Sequence, residues 1–534
     1  MLLFAGLAVD VGGWYARAAV IQRAADAAAL AGVARLSEGD AAAVSEAIAV
    51  ARRNGFVNGV GGVTVTASRI TGQQRVEVII RDANVPQYIT QMVRNNVTVT
   101  RRATAEQVLP VPLGSPRNFL GTALLMGATI AENFWLALSG TCASKEQGER
   151  ITAISDANFS TTGNPPSGAS FVNCNPGSGS VISNTEYSAN GYFYAVDVPP
   201  GFTGNLDIQV YDGAYCSGGS IVPGAVTAND RAGGFTTSYT VRSNDSLNPI
   251  NATALTTVSL AAGSYANSGS STCSSTQSAP SGVGAGRNCS TATNYGACWQ
   301  TLATLTSPTP GTYYIQVRAA VPANLSTATQ QGTNEFAIRT MRNGIFTACS
   351  ADPTSANPTY SATCPNVHGL THLGVDASLP PSSSPSFFLA AVGPEHNNKV
   401  LEITLWDSGE GAAAIQVLNP LGNPEMFTWQ VLCQNGSLPP CSGETAPTGG
   451  YGPASTNTLD VSGTGPQPGF NRLSASRYND RLVRLTIQLP TNIQTAYSGA
   501  TWWRIRYTTA GTPTDRTTWS VIIRGDPVRL VPNS

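Results

Sequence analysis

The chain has 534 residues, a formal net charge of −1 and only 11% charged residues, with 54 glycines and 34 prolines. That length accommodates about two to four domains, and a composition so rich in turn formers favours short strands over helices. A charge balance this near neutrality leaves no electrostatic footprint for nucleic acid, so no nucleic-acid partner is expected.

Leu2–Val9 is uncharged and mostly apolar, and ends at Asp10. A membrane span needs roughly 20 residues, whereas these reach only about 12 Å as a helix. No Lys or Arg precedes the run, so it does not read as a signal peptide. It reads as the visible end of a truncated membrane anchor, with Trp14 and Tyr15 at the water boundary, where aromatic rings concentrate. The alternative is an ordinary buried helix start. Further on, Trp14, Ala18, Ile21, Ala25, Ala28 and Gly32 recur at alternating spacings of four and three, which places them on one helix face. Small residues allow close helix approach. The stripe therefore suits either docking to a partner helix or packing on the protein's own core.

These residues also carry a family resemblance. The stretch from Gly6 to Ala34 resembles the N-terminal domain of TadG-like proteins of the Flp (Tad) pilus-assembly system. That family shows a hydrophobic segment, an AxDxG-like turn, an aromatic, a Gln and a DAAALAGA-like run. Here these are Ala8, Asp10, Gly12, Tyr15, Gln22 and Asp26 to Gly32. The family has a fuller hydrophobic helix upstream, and this chain departs from it there. The resemblance implies an envelope-anchored, extracytoplasmic structural protein, an accessory or minor-pilin-like component in Flp/Tad pilus assembly. Its partners would be the membrane, through the N-terminal helix, and other pilus-assembly proteins or pilins. The docking and anchor set is then Asp10, Trp14, Tyr15, Ala18, Ile21, Gln22, Ala25, Asp26, Ala28 and Gly32. The rival reading is a cell-surface adhesin or carbohydrate-binding protein that uses the same anchor and takes a surface ligand.

A second helix is expected over Asp40–Arg53, stopped by Asn54-Gly55. Alternation marks strands at Val63–Thr66, Arg75–Ile80 and Val97–Arg102. Thr71–Gln74 reads as a turn, and Pro86–Val93 as a further helix with proline early in it. The two helices occupy 1–56 and the rest of a small αββαβ, pilin-like domain occupies 57–109. Pro110, Pro112 and Pro116 mark a linker after it.

An internal repeat follows. Tyr192–Asp212 aligns without gaps with Phe387–Asp407, pairing Leu206, Ile208 and Val210 with Leu401, Ile403 and Leu405. Gly311–Ala319 corresponds to Ala500–Thr508, and Phe336–Arg339 to Val521–Arg524. Period-2 patterns between turns predict two repeated antiparallel β-sandwich modules, 110–345 and 346–534. The Ser/Thr/Asn/Gly-rich stretch 243–290 reads as a long loop insertion in the first. The fold class is α+β, mostly β.

All ten cysteines lie beyond the N-terminal domain and none forms a CxxC pair, which argues against zinc and for oxidised pairs outside the cytoplasm. Short loops favour Cys289–Cys298, Cys349–Cys364 and Cys433–Cys441. No GxSxG elbow or phosphate-binding GxxxxGK[ST] loop occurs. His368 and His372 have zinc-protease spacing but lack the Glu that would act as general base, and Gly369 speaks for a loop. Asp212, Asp407 and Glu410 could offer oxygens to calcium, although a turn in which the carboxylate bonds local backbone explains them as well. Some TadG-like proteins carry a von Willebrand A-type metal site with a DxSxS motif. The nearest string here, Asp460 to Thr464, runs into Gly-Pro and reads as a turn. No metal, no cofactor and no enzymatic activity are expected. Trp502-Trp503 and Tyr313-Tyr314 must face opposite sides of their strands, which suits a structural role.

Overall fold

The computed structural model describes residues 2–36, 40–70, 75–88, 90, 96–107, 110–121, 134–140, 149–152, 155–156, 182–183, 186–212, 236–244, 249–250, 252–260, 300–320, 333–346, 363–378, 384–406, 412–433, 436–439, 451–463, 472–474, 481–509, 514–524 and 528–531. The protein is mostly β, with a long N-terminal helix followed by several antiparallel sheets. The chain falls into two compact units. Unit 1 comprises Met1–Leu109, Asp245–Ala252 and Gly525–Ser534; unit 2 comprises Pro110–Asn244 and Thr253–Arg524.

Unit 1 is built from α1 (Leu2–Ala34), α2 (Asp40–Arg53), β1 (Val63–Arg69), β2 (Arg75–Val85) and β3 (Val97–Gln107). Alanine dominates both helices and resists fraying better than any other residue. The three strands pair antiparallel in sequence order. Val63, Val65, Val76, Val78 and Ile80 face a core that Ile21, Ala25 and Ala28 of α1 and Ala43 and Ala47 of α2 complete. Gly32 is a point of close approach between the helices. A Cβ there would lie 2.9 Å from Ala47 Cβ and 3.0 Å from the Ala43 carbonyl oxygen. Of the expected Pro86–Val93 helix, Pro86–Tyr88 is not helical and Thr90 sits in a 3-10 turn. Ile89 and 91–93 lie outside the described residues.

The sheet has a fourth member. Val528–Val531 pairs antiparallel with β3, Val528 opposite Gln107 and Val531 opposite Thr104. The repeat boundaries place this strand in 346–534, but it belongs to unit 1. Unit 2 is therefore inserted between two neighbouring strands of unit 1. Sequence patterning assigns strands but not partners that lie hundreds of residues apart.

In unit 2 one eleven-stranded sheet has the order Gln300–Thr306, Asn205–Asp212, Thr333–Arg342, Phe134–Ser139, His372–Ser378, Thr514–Arg524, Val400–Trp406, Leu482–Gln488, Phe427–Leu432, Ala454–Thr456, with Phe119–Leu120 also paired to Thr333–Arg342. The repeated strands Asn205–Asp212 and Val400–Trp406 stand at equivalent places on either side of the central antiparallel pair, Phe134–Ser139 with His372–Ser378. Ile338 stands opposite Val210, and Trp519 opposite Leu405. Ile338 thus corresponds to Trp519 and not to Ile523, as the pattern match has it, because period-2 alternation cannot fix which turn-length a strand has slid by.

Two five-stranded sheets accompany it. One has the order Ala254–Leu260, Thr237–Arg242, Gly311–Ala319, Tyr192–Val198, Asn366–Gly369; the other Ser386–Ala391, Trp502–Thr509, Ala412–Leu418, Leu459–Gly463, Arg472–Ser474. One hydrophobic cluster joins all three sheets. The Phe387 ring meets those of Phe134, Tyr507 and Trp519 at centroid distances of 5.9–6.0 Å. Burying a side chain of this size stabilises by roughly 2 kcal/mol.

Three expectations are corrected here. Residues 111–121 are not a linker. Leu113 is fully buried and exchanges both backbone hydrogen bonds with Gly369 at 2.9 Å, while Gly114 N–H donates to Leu389 and Ala391 N–H to Pro112. The prolines do not interrupt this pairing, since Leu113 and Gly114 between them supply the N–H donors. The 243–290 stretch is not all loop, since Ala254–Leu260 forms an edge strand on Thr237–Arg242; its β-branched Thr256, Thr257 and Val258 suit that conformation. Asp460 is not in a turn. It pairs with Ala414 between Leu459 and Val461, both buried.

Candidate functional site

The residues that carry the family resemblance divide sharply by surroundings. Ala18, Ile21, Ala25, Ala28 and Gly32 are all buried in unit 1. The small-residue stripe therefore packs on α2 and the sheet, and is not a free docking surface. Gln22 and Asp26 act together: the Gln22 amide donates to Asp26 at 2.8 Å and to the Arg102 carbonyl of β3 at 3.1 Å. Trp14 is half-buried, and Tyr15 is exposed.

Asp10 is buried although apolar residues with exposed side chains precede it. Its carboxylate accepts from Tyr88 N–H at 2.8 Å, Thr90 N–H at 2.7 Å and the Thr90 hydroxyl at 2.8 Å. The residue thus fastens the segment after β2 to α1. Hydrogen bonds to a charged acceptor contribute roughly 1.5–3 kcal/mol each. Ahead of Asp10, Leu7, Ala8 and Val9 face outward. Among the described residues no helix is long and apolar enough to cross a membrane.

Sequence reasoning missed a second fastening. Arg17 donates to Asp82 through Nε at 2.9 Å and Nη2 at 2.6 Å, and lies 4.8 Å above the Phe56 ring. Asp82 is buried and also accepts from Asn84 N–H. An Arg and an Asp on separate elements leave no spacing signal.

In unit 2 the histidines lie in consecutive strands of different sheets and not in a loop: His368 is in Asn366–Gly369, which pairs with Tyr192–Val198, and His372 opens His372–Ser378, which pairs with Phe134–Ser139 and Thr514–Arg524. Leu370-Thr371 carries the chain from one sheet to the other. His368 is buried and its Nε2 lies 2.8 Å from Asp197 Oδ2, with Nδ1 3.0 Å from the Gly369 carbonyl. Burial opposes the imidazolium, but Asp197 outweighs it and the His368 pKa is raised. Burial likewise opposes the Asp197 carboxylate, but His368 and the Thr312 hydroxyl outweigh that and lower its pKa. His372 is different: burial, with Arg150 nearby, lowers its pKa to about 4. The two rings are held by different partners, His368 by Asp197 and His372 by the Thr371 hydroxyl at 2.9 Å. A buried ion-pair set lies across the central strands, where Arg516 donates to Asp376 at 2.5 Å and to Glu335 at 2.9 Å.

Among the described residues no group of three or more His, Cys, Asp and Glu is placed to hold a metal ion. Asp407 and Glu410 lie outside the described residues, as does the Asp212 side chain. Cys289, Cys298, Cys349 and Cys441 also lie outside them; Cys364 and Cys433 are described, and neither is a free thiol. Trp503 enters the core, while Trp502 packs on Phe388 with centroids 5.7 Å apart. Tyr313 and Tyr314 are both buried.

These features define a mostly β protein led by an α-helix whose conspicuous residues hold its own domain together and which exposes Leu7, Ala8 and Val9. Residues 1–35 match the Tad family model, described as Flp pilus-assembly TadE/G-like. No curated protein matches the chain. The N-terminal match supports a pilus-associated role and association with the cell envelope.

Proposed function

We propose that this is an envelope-anchored, extracytoplasmic structural protein that acts as an accessory or minor-pilin-like component in Flp/Tad pilus assembly. The observation that carries the reading is the Tad match over residues 1–35, on a helix that presents Leu7, Val9 and Tyr15 to the outside. In this reading the first turns of α1 engage the membrane, and unit 1 joins other pilus-assembly proteins or pilins. Unit 2, as two fused sandwich lobes, supplies the extracytoplasmic bulk. Disulfides Cys349–Cys364 and Cys433–Cys441 would staple short loops of unit 2, each adding a few kcal/mol in the chain-entropy model. No catalytic role is assigned.

Deletion of the gene tests the proposal. Loss of surface pili, restored by the wild-type gene, is the expected result. Normal pili with weakened attachment would instead favour the adhesin reading and overturn the assembly role.

A further inference from the structure

We infer that the segment after β2, with Tyr88 on it, is a second contact with the lipid–water interface, latched to α1 by Asp10. The inference rests on the membrane reading above and adds a surface that lies far from α1 in sequence.

The argument begins with Asp10. Within residues 1–16 it is the one charged side chain. A bare carboxylate near a bilayer is costly, and this one is 1% exposed, with both oxygens occupied by donors from Tyr88 and Thr90. The first four turns of the helix therefore offer the outside no charged group. Leu7 is 43% exposed and Val9 60%.

The same hydrogen bonds fix where the second segment sits. Tyr88 N–H lies 2.8 Å from Asp10 Oδ1, so its backbone is held at the level of α1 between Val9 and Tyr15. Tyr88 is 65% exposed and Tyr15 is 74% exposed. Two exposed tyrosines from separate segments thus flank an uncharged apolar helix end. Tyrosine concentrates at the depth where acyl chains meet headgroups, because its ring is apolar and its hydroxyl seeks polar partners. That boundary matches the surface in two respects, an apolar centre and an amphipathic rim. It is the occupant assigned here.

Co-flotation of the full chain with phosphatidylcholine–phosphatidylglycerol vesicles tests this. Wild type should float. Tyr88→Ala should lower vesicle partition by about fivefold, and Tyr88→Trp should restore it, since indole also favours the interface. Thr90→Val, which removes one bond to Asp10, should weaken partition in the same direction. Unchanged melting profiles would show that the variants remain folded. Leu7→Asp with Val9→Asp supplies the separate control for α1. If that pair abolishes flotation while Tyr88→Ala floats like wild type, the membrane reading stands and the Tyr88 contact is overturned. If wild type does not float, both fall together.

Discussion

At the scale of single residues, the positions that distinguish α1 are explained by fit. Gly32 leaves no room for a side chain against Ala47 and the Ala43 carbonyl. Gly32→Val should therefore destabilise unit 1 by about 1–3 kcal/mol, read as earlier loss of helix signal in denaturant. Undiminished stability would mean that the helices can separate without cost. His368 and Asp197 give a pH dependence of defined sign. The raised His368 pKa contributes stability that is full below its ordinary value of 6.5 and is lost as pH rises through the raised value. The lowered Asp197 pKa contributes stability present above 3.8 and lost as pH falls through the lowered value. Wild type should exceed Asp197→Asn most between those two limits, in melting temperatures taken across pH. A difference that stays constant from pH 5 to 9 would show that the pair does not titrate as a unit. The sequence marked His368 only by its spacing to His372, and the partner that matters, Asp197, has no motif relation to it.

At the scale of elements, alternation and helix stops made β1, β2, β3 and α2 readable, since each lies on a half-buried face with a clear period. The order along the chain was legible; the pairing was not. Leu113 looked like linker because its neighbours are prolines, yet it closes the gap between Gly369 and Ala390. The short Val528–Val531 strand carried no signal for its partner. Its role can be tested by Leu530→Pro, which removes a ladder donor. Amide exchange should then accelerate at Thr104–Gln107 while the Val400–Trp406 ladder is unaffected. Unaltered protection at Thr104–Gln107 would mean that β3 is closed without its C-terminal neighbour.

At the scale of the whole molecule, the repeat pattern implied two repeated modules, whereas among the described residues of unit 2 a continuous central sheet and a large hydrophobic cluster run through both repeats. Matching sequences could reveal the duplication but not the fusion, because the central pair Phe134–Ser139 and His372–Ser378 lies outside the aligned strands. The insertion of unit 2 between β3 and Val528–Val531 has a consequence for proteolysis. The turn at Leu421-Gly422 is exposed, with Gly422 at φ +85°. A single cut there would leave fragments 1–421 and 422–534. The smaller one would still hold a strand in unit 1 and several in unit 2. Such nicked protein should migrate as one species on a native gel and as two bands after denaturation, so releasing any part of it would take at least a second cleavage.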